Sequence, residues 1–580
     1  MVQDIYDPLT EYVNVFRNRF RDVAHSTFAE LAKEAQVDVE ANRETCRQLY
    51  SLEENVASVR KLVVRWNLLH VLLWIVVAGC VIAGFLVFQK PASQSVLWDF
   101  VLVGVLLATA LYVLFRIVTP KLNELKDEQN GLEIEVDRLR TEAWKQMEPL
   151  NRLYDWDVLT RMMTRTVPRL EFDPYFTTQR LADLKMVYGW DDSFNAERSV
   201  VYSHSGLING NPFVICRTKK MEMGAKTYYG EKTIYWTTRE RGSDGKYHSV
   251  RHSQTLTASV TAPFPGYYEK TRLIYGNTAA PDLIFYRRQS GLASKEGSMA
   301  FKMALRSLRK KARDLSNADF AMMTNEEFET IFDTSNRNDN QQFALLFTPL
   351  AQESMTKLLK DNSAGYGDDF DFEKHRMINT IISTHMQDLN LDMNPDQYRN
   401  FDYDKAAIDF YEINADYFRA IYFALAPLLC VPMYQQIRST KDIYGRDMQT
   451  HSAFWEHEAL ANFWGNDNFK HPSCVTDCIL KTKQLGQGDS STIMVYAHGF
   501  RAVRRLTYIS KLGGDGRSHN VPVYWDEYLP VTGTGTIRIR EDNSDATEQA
   551  TTQLQRLKHI NEVLKTDNLS LYRRHIASRV

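Results

Sequence analysis

Cysteine is scarce in this chain: six among 580 residues, at positions 46, 80, 216, 430, 474 and 478, too few to staple a protein of this size. That scarcity points to a reducing compartment for most of the mass. An excess of charge is lacking too. Lys and Arg number 70 against 72 Asp and Glu, so no global field draws the chain to nucleic acid, and no nucleic-acid partner is expected. The sequence holds no Walker-type phosphate loop, no dinucleotide fingerprint and no Gly-x-Ser-x-Gly elbow, the commonest signatures of nucleotide-dependent and serine-hydrolase chemistry. Low-complexity tracts are missing as well, and 44% hydrophobic, 12% aromatic and 24% charged residues describe a chain that folds. At roughly 100–200 residues per domain, the length allows three or four folding units.

Long apolar runs, by contrast, occur twice. Leu68–Phe88 has His70 as its only strongly polar member, and as a helix rising about 1.5 Å per residue it crosses a hydrocarbon layer of about 30 Å. Val96–Val118 is similar, with Asp99 near its outer end and Arg116 near its inner end, where charged side chains can snorkel to the interface. Only Gln89–Ser95 lies between them, so the two spans (68–88 and 96–118) make a hairpin. Arg60, Lys61 and Arg65 precede the first span and Arg116, Lys121 and Lys126 accompany the end of the second, against Lys90 alone in the loop. The excess of basic residues places both termini in the cytoplasm and makes the chain a multi-pass protein of the cytoplasmic (inner) membrane.

Past the second span, Leu122, Leu125, Gln129, Leu132, Val136, Leu139 and Ala143 recur at alternating steps of three and four, a heptad seam. Before the first span Cys46, Leu49, Val56, Val59 and Val63 form a matching stripe. A hairpin returns both segments to the same membrane face, so they can pack antiparallel as a stalk or pair between protomers as a homo-oligomer.

From about Asn151 the periodicity changes to short β-prone runs, among them 213–216, 232–238, 253–260 and 272–275, with a hairpin signal at Gly242-Ser243-Asp244-Gly245. Asp244–Val250 is echoed by Asp515–Val521, again between strand-like runs, which pairs Thr492–Ile509 with Val521–Val531. Helices are expected over 299–314, 325–331 and 349–360, a mainly helical stretch over 370–440, and a terminal amphipathic helix over Leu554–Ile576. The expected fold class is α+β: an N-terminal helical and coiled-coil stalk with a two-helix transmembrane hairpin, then mixed α+β cytoplasmic domains with antiparallel hairpins. By residue the division runs 1–67 helical, 68–118 membrane hairpin, 119–150 coiled coil, 151–365 and 366–544 two α+β domains, and 545–580 the C-terminal helix.

The two-span hairpin and coiled segment, with Ser205–Gly210 before a strand, Phe332-Asp333 and Asn340–Leu350, resemble a family of uncharacterised bacterial membrane proteins carrying a domain of unknown function. The resemblance covers roughly residues 1–365. It implies a bacterial, membrane-anchored cytoplasmic domain and supplies no catalytic residue.

The densest group of metal-capable side chains is His451, Glu456, His457, Glu458, His471, Cys474 and Cys478. Of these, His457, His471, Cys474 and Cys478 are the candidate ligands of a structural zinc, although the second histidine of a metalloprotease helix is missing and Cys-x-x-x-Cys is not the usual knuckle. Phe454, Trp455, Phe463 and Trp464 give the same region the look of packed core. A second candidate is the basic stretch Lys302, Arg306, Arg309, Lys310, Lys311 and Arg313, with Phe301, Leu305 and Leu308 as its apolar side, suited to anionic headgroups or to plain solvent. The functional expectation is a membrane-anchored binding or scaffold protein, with no catalytic or cofactor-binding residue assigned, the lipid bilayer as partner and the protein partner open. The alternative is a membrane-tethered, metal-dependent hydrolase using the 451–478 cluster.

Overall fold

In the computed structural model, the described residues are 5–88, 94–241, 246–313, 320–435, 451–486, 491–541 and 569–579, with 560 and 564. Helix takes 50% and strand 30%, with antiparallel sheets, so the α+β expectation holds. The chain divides into two compact units, one of residues 26–154 with 395–411 and one of 1–25, 155–394 and 412–580.

The first unit is helical. Helices α1 (Arg17–Ala35), α2 (Val39–Phe88), α3 (Gln94–Val113) and α4 (Thr119–Asn151) follow one another, α3 passing into α4 through a single wide π turn, Leu114–Val118. There the Leu114 carbonyl accepts from both Thr119 N, five residues on, and Thr119 Oγ1, the latter at 2.8 Å. The heptad seam is filled within the chain: Leu49 of α2 packs with Val136 and Leu139 of α4, flanked by Leu52, Val56 and Phe401. Arg140 closes on Glu53 across the same pair of helices at 2.6 Å. Asn42, fully buried, donates to Gln146 Oε1 and to the Phe401 carbonyl, and so ties the loop before Tyr403 to both helices.

The second unit holds two antiparallel sheets. The strands are β1 (Leu170–Phe172), β2 (Arg198–Ile208), β3 (Asn211–Arg241), β4 (Tyr247–Gly276), β5 (Ile284–Arg287), β6 (Phe370–His375), β7 (Ile378–Ser383), β8 (Ile479–Gln484), β9 (Ser491–Leu512), β10 (Ser518–Glu541), β11 (Ser570–Tyr572) and β12 (His575–Arg579). Among the described residues they order as β1-β2-β3-β4-β7-β6-β5 and β11-β12-β10-β9-β8. Helices of this unit include α5 (Met299–Arg313), α6 (Pro349–Lys360) and α7 (Phe454–Trp464). Thr348, just before Pro349 at the first helical position, caps α6, accepting from Ala351 N at 3.4 Å.

Three expectations need correction. The first sheet runs across the boundary placed at 365/366, because β6 and β7 pair with β5 and β4. The stretch from Phe370, read as helical, opens instead as a hairpin turning at Arg376 (φ 57°), since alternate residues Phe370 and Phe372 bury one face at helix-incompatible spacing. Residues 570–579, placed at the end of a terminal helix, form β11 and β12 on the open edge of β10, turning at Arg573 (φ 54°). Except for 560 and 564, the rest of Leu554–Ile576 before 569 lies outside the described residues, as do Asp244 and its turn.

The two Asp-Gly hairpins are far longer than their β-prone runs suggest. β3 and β4 have 31 and 30 residues, and β9 and β10 have 22 and 24. Beyond Lys220, β3 has β4 alone as neighbour, and the twenty or so residues that follow make a ribbon of roughly 65 Å. A lone two-stranded ribbon is marginal in water, and each of these is held by the other. Ile234, Leu256 and Ala258 of one meet Val521 and Val523 of the other in a small core of their own. Gly230 permits the approach, since a Cβ there would sit 2.0 Å from the Pro522 carbonyl oxygen, a backbone atom that cannot rotate away. Gly230→Val is therefore expected to separate the ribbons at a cost of about 2 kcal/mol or more, read as faster limited proteolysis within 221–270 and 499–531. Digestion at the native rate would show that the two ribbons do not brace each other.

Candidate functional site

Helix α7 lies between the two sheets and is buried almost all round, with Trp455, Ala459, Leu460 and Ala461 joining Val200, Val214, Leu480, Ile493 and Ile537 in the main core. It ends at Gly465, whose φ of 89° suits a residue without a side chain. A helix apolar on every side belongs inside a protein, yet this one carries Glu456, His457 and Glu458 into the core. Each polar group there must find partners.

Glu456 Oε1 accepts from Phe176 N at 2.9 Å, from Ser203 Oγ at 3.2 Å and from Arg573 Nη1 at 2.9 Å. Arg573 also donates to the Ser203 carbonyl. Burial works against the charge of Arg573, and the Glu456 carboxylate more than restores it, so the guanidinium stays charged. Glu458 accepts from Val200 N at 3.0 Å and faces Lys481 Nζ at 2.6 Å; burial nevertheless pushes its carboxyl above the usual range. His457 Nε2 lies 3.1 Å from Ser452 Oγ, and Ser452 donates its N–H and hydroxyl to Glu541 Oε1 at 2.6 and 2.7 Å. Burial pushes His457 down to about 3, so the ring is neutral at neutral pH.

Serine, histidine and carboxylate thus stand in one chain, but in the wrong order for nucleophilic chemistry. The serine is in the middle and gives its proton to the carboxylate, whereas an activated nucleophile needs the histidine between the two. Glu541 and Arg573 escaped sequence reading because they reach α7 from distant segments, and Ser452, just before the helix, carries no pattern that marks it.

The four candidate zinc ligands fall in different surroundings. Cys474 and Cys478 come together, Sγ to Sγ 3.7 Å, in the turn before β8, not on a helix. They lie over Gly499, where a Cβ would approach the two sulfurs to 2.5 and 2.8 Å. Burial, then the neighbouring Cys474, pushes the Cys478 thiol up to about 12, the reverse of what a nucleophilic thiol requires. His471 is on the surface with Nδ1 2.8 Å from Ser473 Oγ, and His457 is engaged with Ser452. Among the described residues, no group of three or more His, Cys, Asp or Glu side chains is placed to hold a metal ion.

What the molecule leaves uncovered lies elsewhere. Two helices are long and apolar enough to cross a membrane, and only 11% and 17% of their most apolar windows are buried. On α2, Leu68, Val71, Ile75, Ile82 and Phe85 are exposed, and Leu102, Val105, Leu106 and Tyr112 of α3 are likewise bare. Core helices of soluble proteins cover such faces, whereas a monomeric soluble protein rarely exposes a contiguous apolar surface of this extent. No family model, curated protein or solved structure matches this chain.

Proposed function

We propose that the chain is a membrane-anchored binding or scaffold protein, fastened by its α2–α3 hairpin to the cytoplasmic membrane with both termini in the cytoplasm, its α+β unit presenting surfaces to partners. The observation that carries this reading is the uncovered apolar length of α2 and α3. The basic flank Arg60, Lys61 and Arg65 before Leu68, and Lys121 and Lys126 after Val118, supports the orientation. The polar side chains of the α7 cluster that have partners are matched to protein groups in a closed core, which supports a structural role there and disfavours the alternative of a metal-dependent hydrolase. A homo-oligomer built on the α4 seam would compete with α2, which already fills it.

Fractionation tests the anchor. The protein is expected in the membrane pellet, resistant to carbonate and high salt and released by detergent, with residues 155–580 cleaved by protease only after spheroplasts are opened. Recovery of the intact chain in the detergent-free supernatant would end this reading. Ile75→Lys with Ile82→Lys is expected to shift the chain toward the soluble or aggregated fraction, since each charge near mid-bilayer costs about 2.5–3.5 kcal/mol.

A further inference from the structure

Helix α5 carries six cations and no acidic residue over Met299–Arg313. Its expected apolar side is spent on the protein, with Leu308 buried and Phe301 and Leu305 half-buried. Two of the cations are spent as well: Arg309 pairs with Glu326, and Lys311 donates to the Ser335 carbonyl at 2.7 Å. The opposite face is another matter. Met299, Lys302, Met303, Arg306, Lys310 and Arg313 recur at three- and four-residue steps and so share one stripe of the helix. All six are exposed, Met299 by 73% and Met303 by 59%, and none of the four cations has a side-chain partner among the described residues. A solvated helix face has no use for two bare methionines in line with four free cations. That pairing suits a surface with negative charge outside and hydrocarbon just beneath.

We propose that this stripe of α5 docks on a bilayer surface containing anionic phospholipid, the cations meeting headgroup phosphates and the two methionines entering the interface. The inference rests on the membrane-anchor reading and adds a second, reversible attachment whose strength follows lipid composition. Amide hydrogen exchange of the full chain in lipid nanodiscs tests it. Exchange over 299–313 is expected to slow at least threefold in discs with 30% phosphatidylglycerol relative to pure phosphatidylcholine. The protection should vanish in 1 M salt and in the variant Lys302→Gln/Arg306→Gln/Lys310→Gln/Arg313→Gln, and fall in Met299→Ser/Met303→Ser. These exposed positions make no contact that folding needs, and unchanged exchange in β9 and β10 confirms a folded variant. Equal exchange in both kinds of disc overturns the docking. Equal protection by an acidic peptide or a short RNA added to phosphatidylcholine discs overturns the choice of ligand. Failure of the chain to enter discs at all overturns the anchor and this inference together, an outcome distinct from entry without protection.

Discussion

Arg573→Met is expected to lower the stability of the α+β unit by about 3–5 kcal/mol, the usual cost of stripping one partner from a buried ion pair. The pair is buried on both sides, Arg573 side chain 6% and Glu456 0% exposed, with N and O 2.9 Å apart. The substitution removes the cation that faces the Glu456 carboxylate in the core, and also the donor that the Ser203 carbonyl receives. Glu456→Gln on top of Arg573→Met should recover part of the loss. The amide oxygen can still accept from Phe176 N and Ser203 Oγ, while the uncompensated charge is gone. Denaturant unfolding of the detergent-solubilised full chain, followed by tryptophan emission, measures both. If the single change costs under 1 kcal/mol, or the second adds to the loss, the cluster at α7 is not the electrostatic keystone described.

Acid should weaken the same unit before ordinary carboxylates titrate. Burial pushes His204 and His457 down to about 3 from an ordinary imidazole's 6.5. His204 sits between Tyr202 OH and the Asp173 carbonyl, each 3.2 Å from a ring nitrogen, with Arg573 adding to its reluctance to charge. As pH falls through 6.5 the unfolded chain takes up protons that the folded one refuses. Stability is therefore full above about 6.5 and declines toward 3, by about 2 kcal/mol per ring at pH 5. His575, also pushed down by burial, acts in the same direction. Glu458 acts in the opposite one, because its raised carboxyl stabilises the fold at low pH and that contribution is lost as pH rises. The net expectation is a fall in unfolding midpoint from pH 7 to 5 that becomes shallower in His204→Gln and in His457→Gln. Identical slopes in all three proteins would refute it.

Much of the architecture is legible along the chain because its causes are local. The two apolar runs, the heptad stripe before and after them, the cap at Thr348 and the turn at Asp515-Gly516 all depend on residues within a few positions of one another. The longer strands are not legible in the same way. Gly224, Gly230, Pro263 and Pro265 lie inside β3 and β4, where the second ribbon stacks on the first and a missing Cβ at Gly230 lets it come close. The hairpin of β11 and β12 went unrecognised because its stability comes from pairing with β10, a neighbour remote in sequence.

The candidate site divides along the same line. Apolar patterning was enough to specify a chain carrying two membrane-length helices and a packed apolar region around Trp455, since burial preference is a property of each side chain. Whether His457, Cys474 and Cys478 would ligate metal or simply pack could not follow from their spacing. That depended on where Ser452, Gly499, Glu541 and Arg573 arrived in space, and on how completely the two sheets exclude water from the groups between them. Desolvation is a collective property of everything surrounding a charge, and no single stretch of sequence contains it.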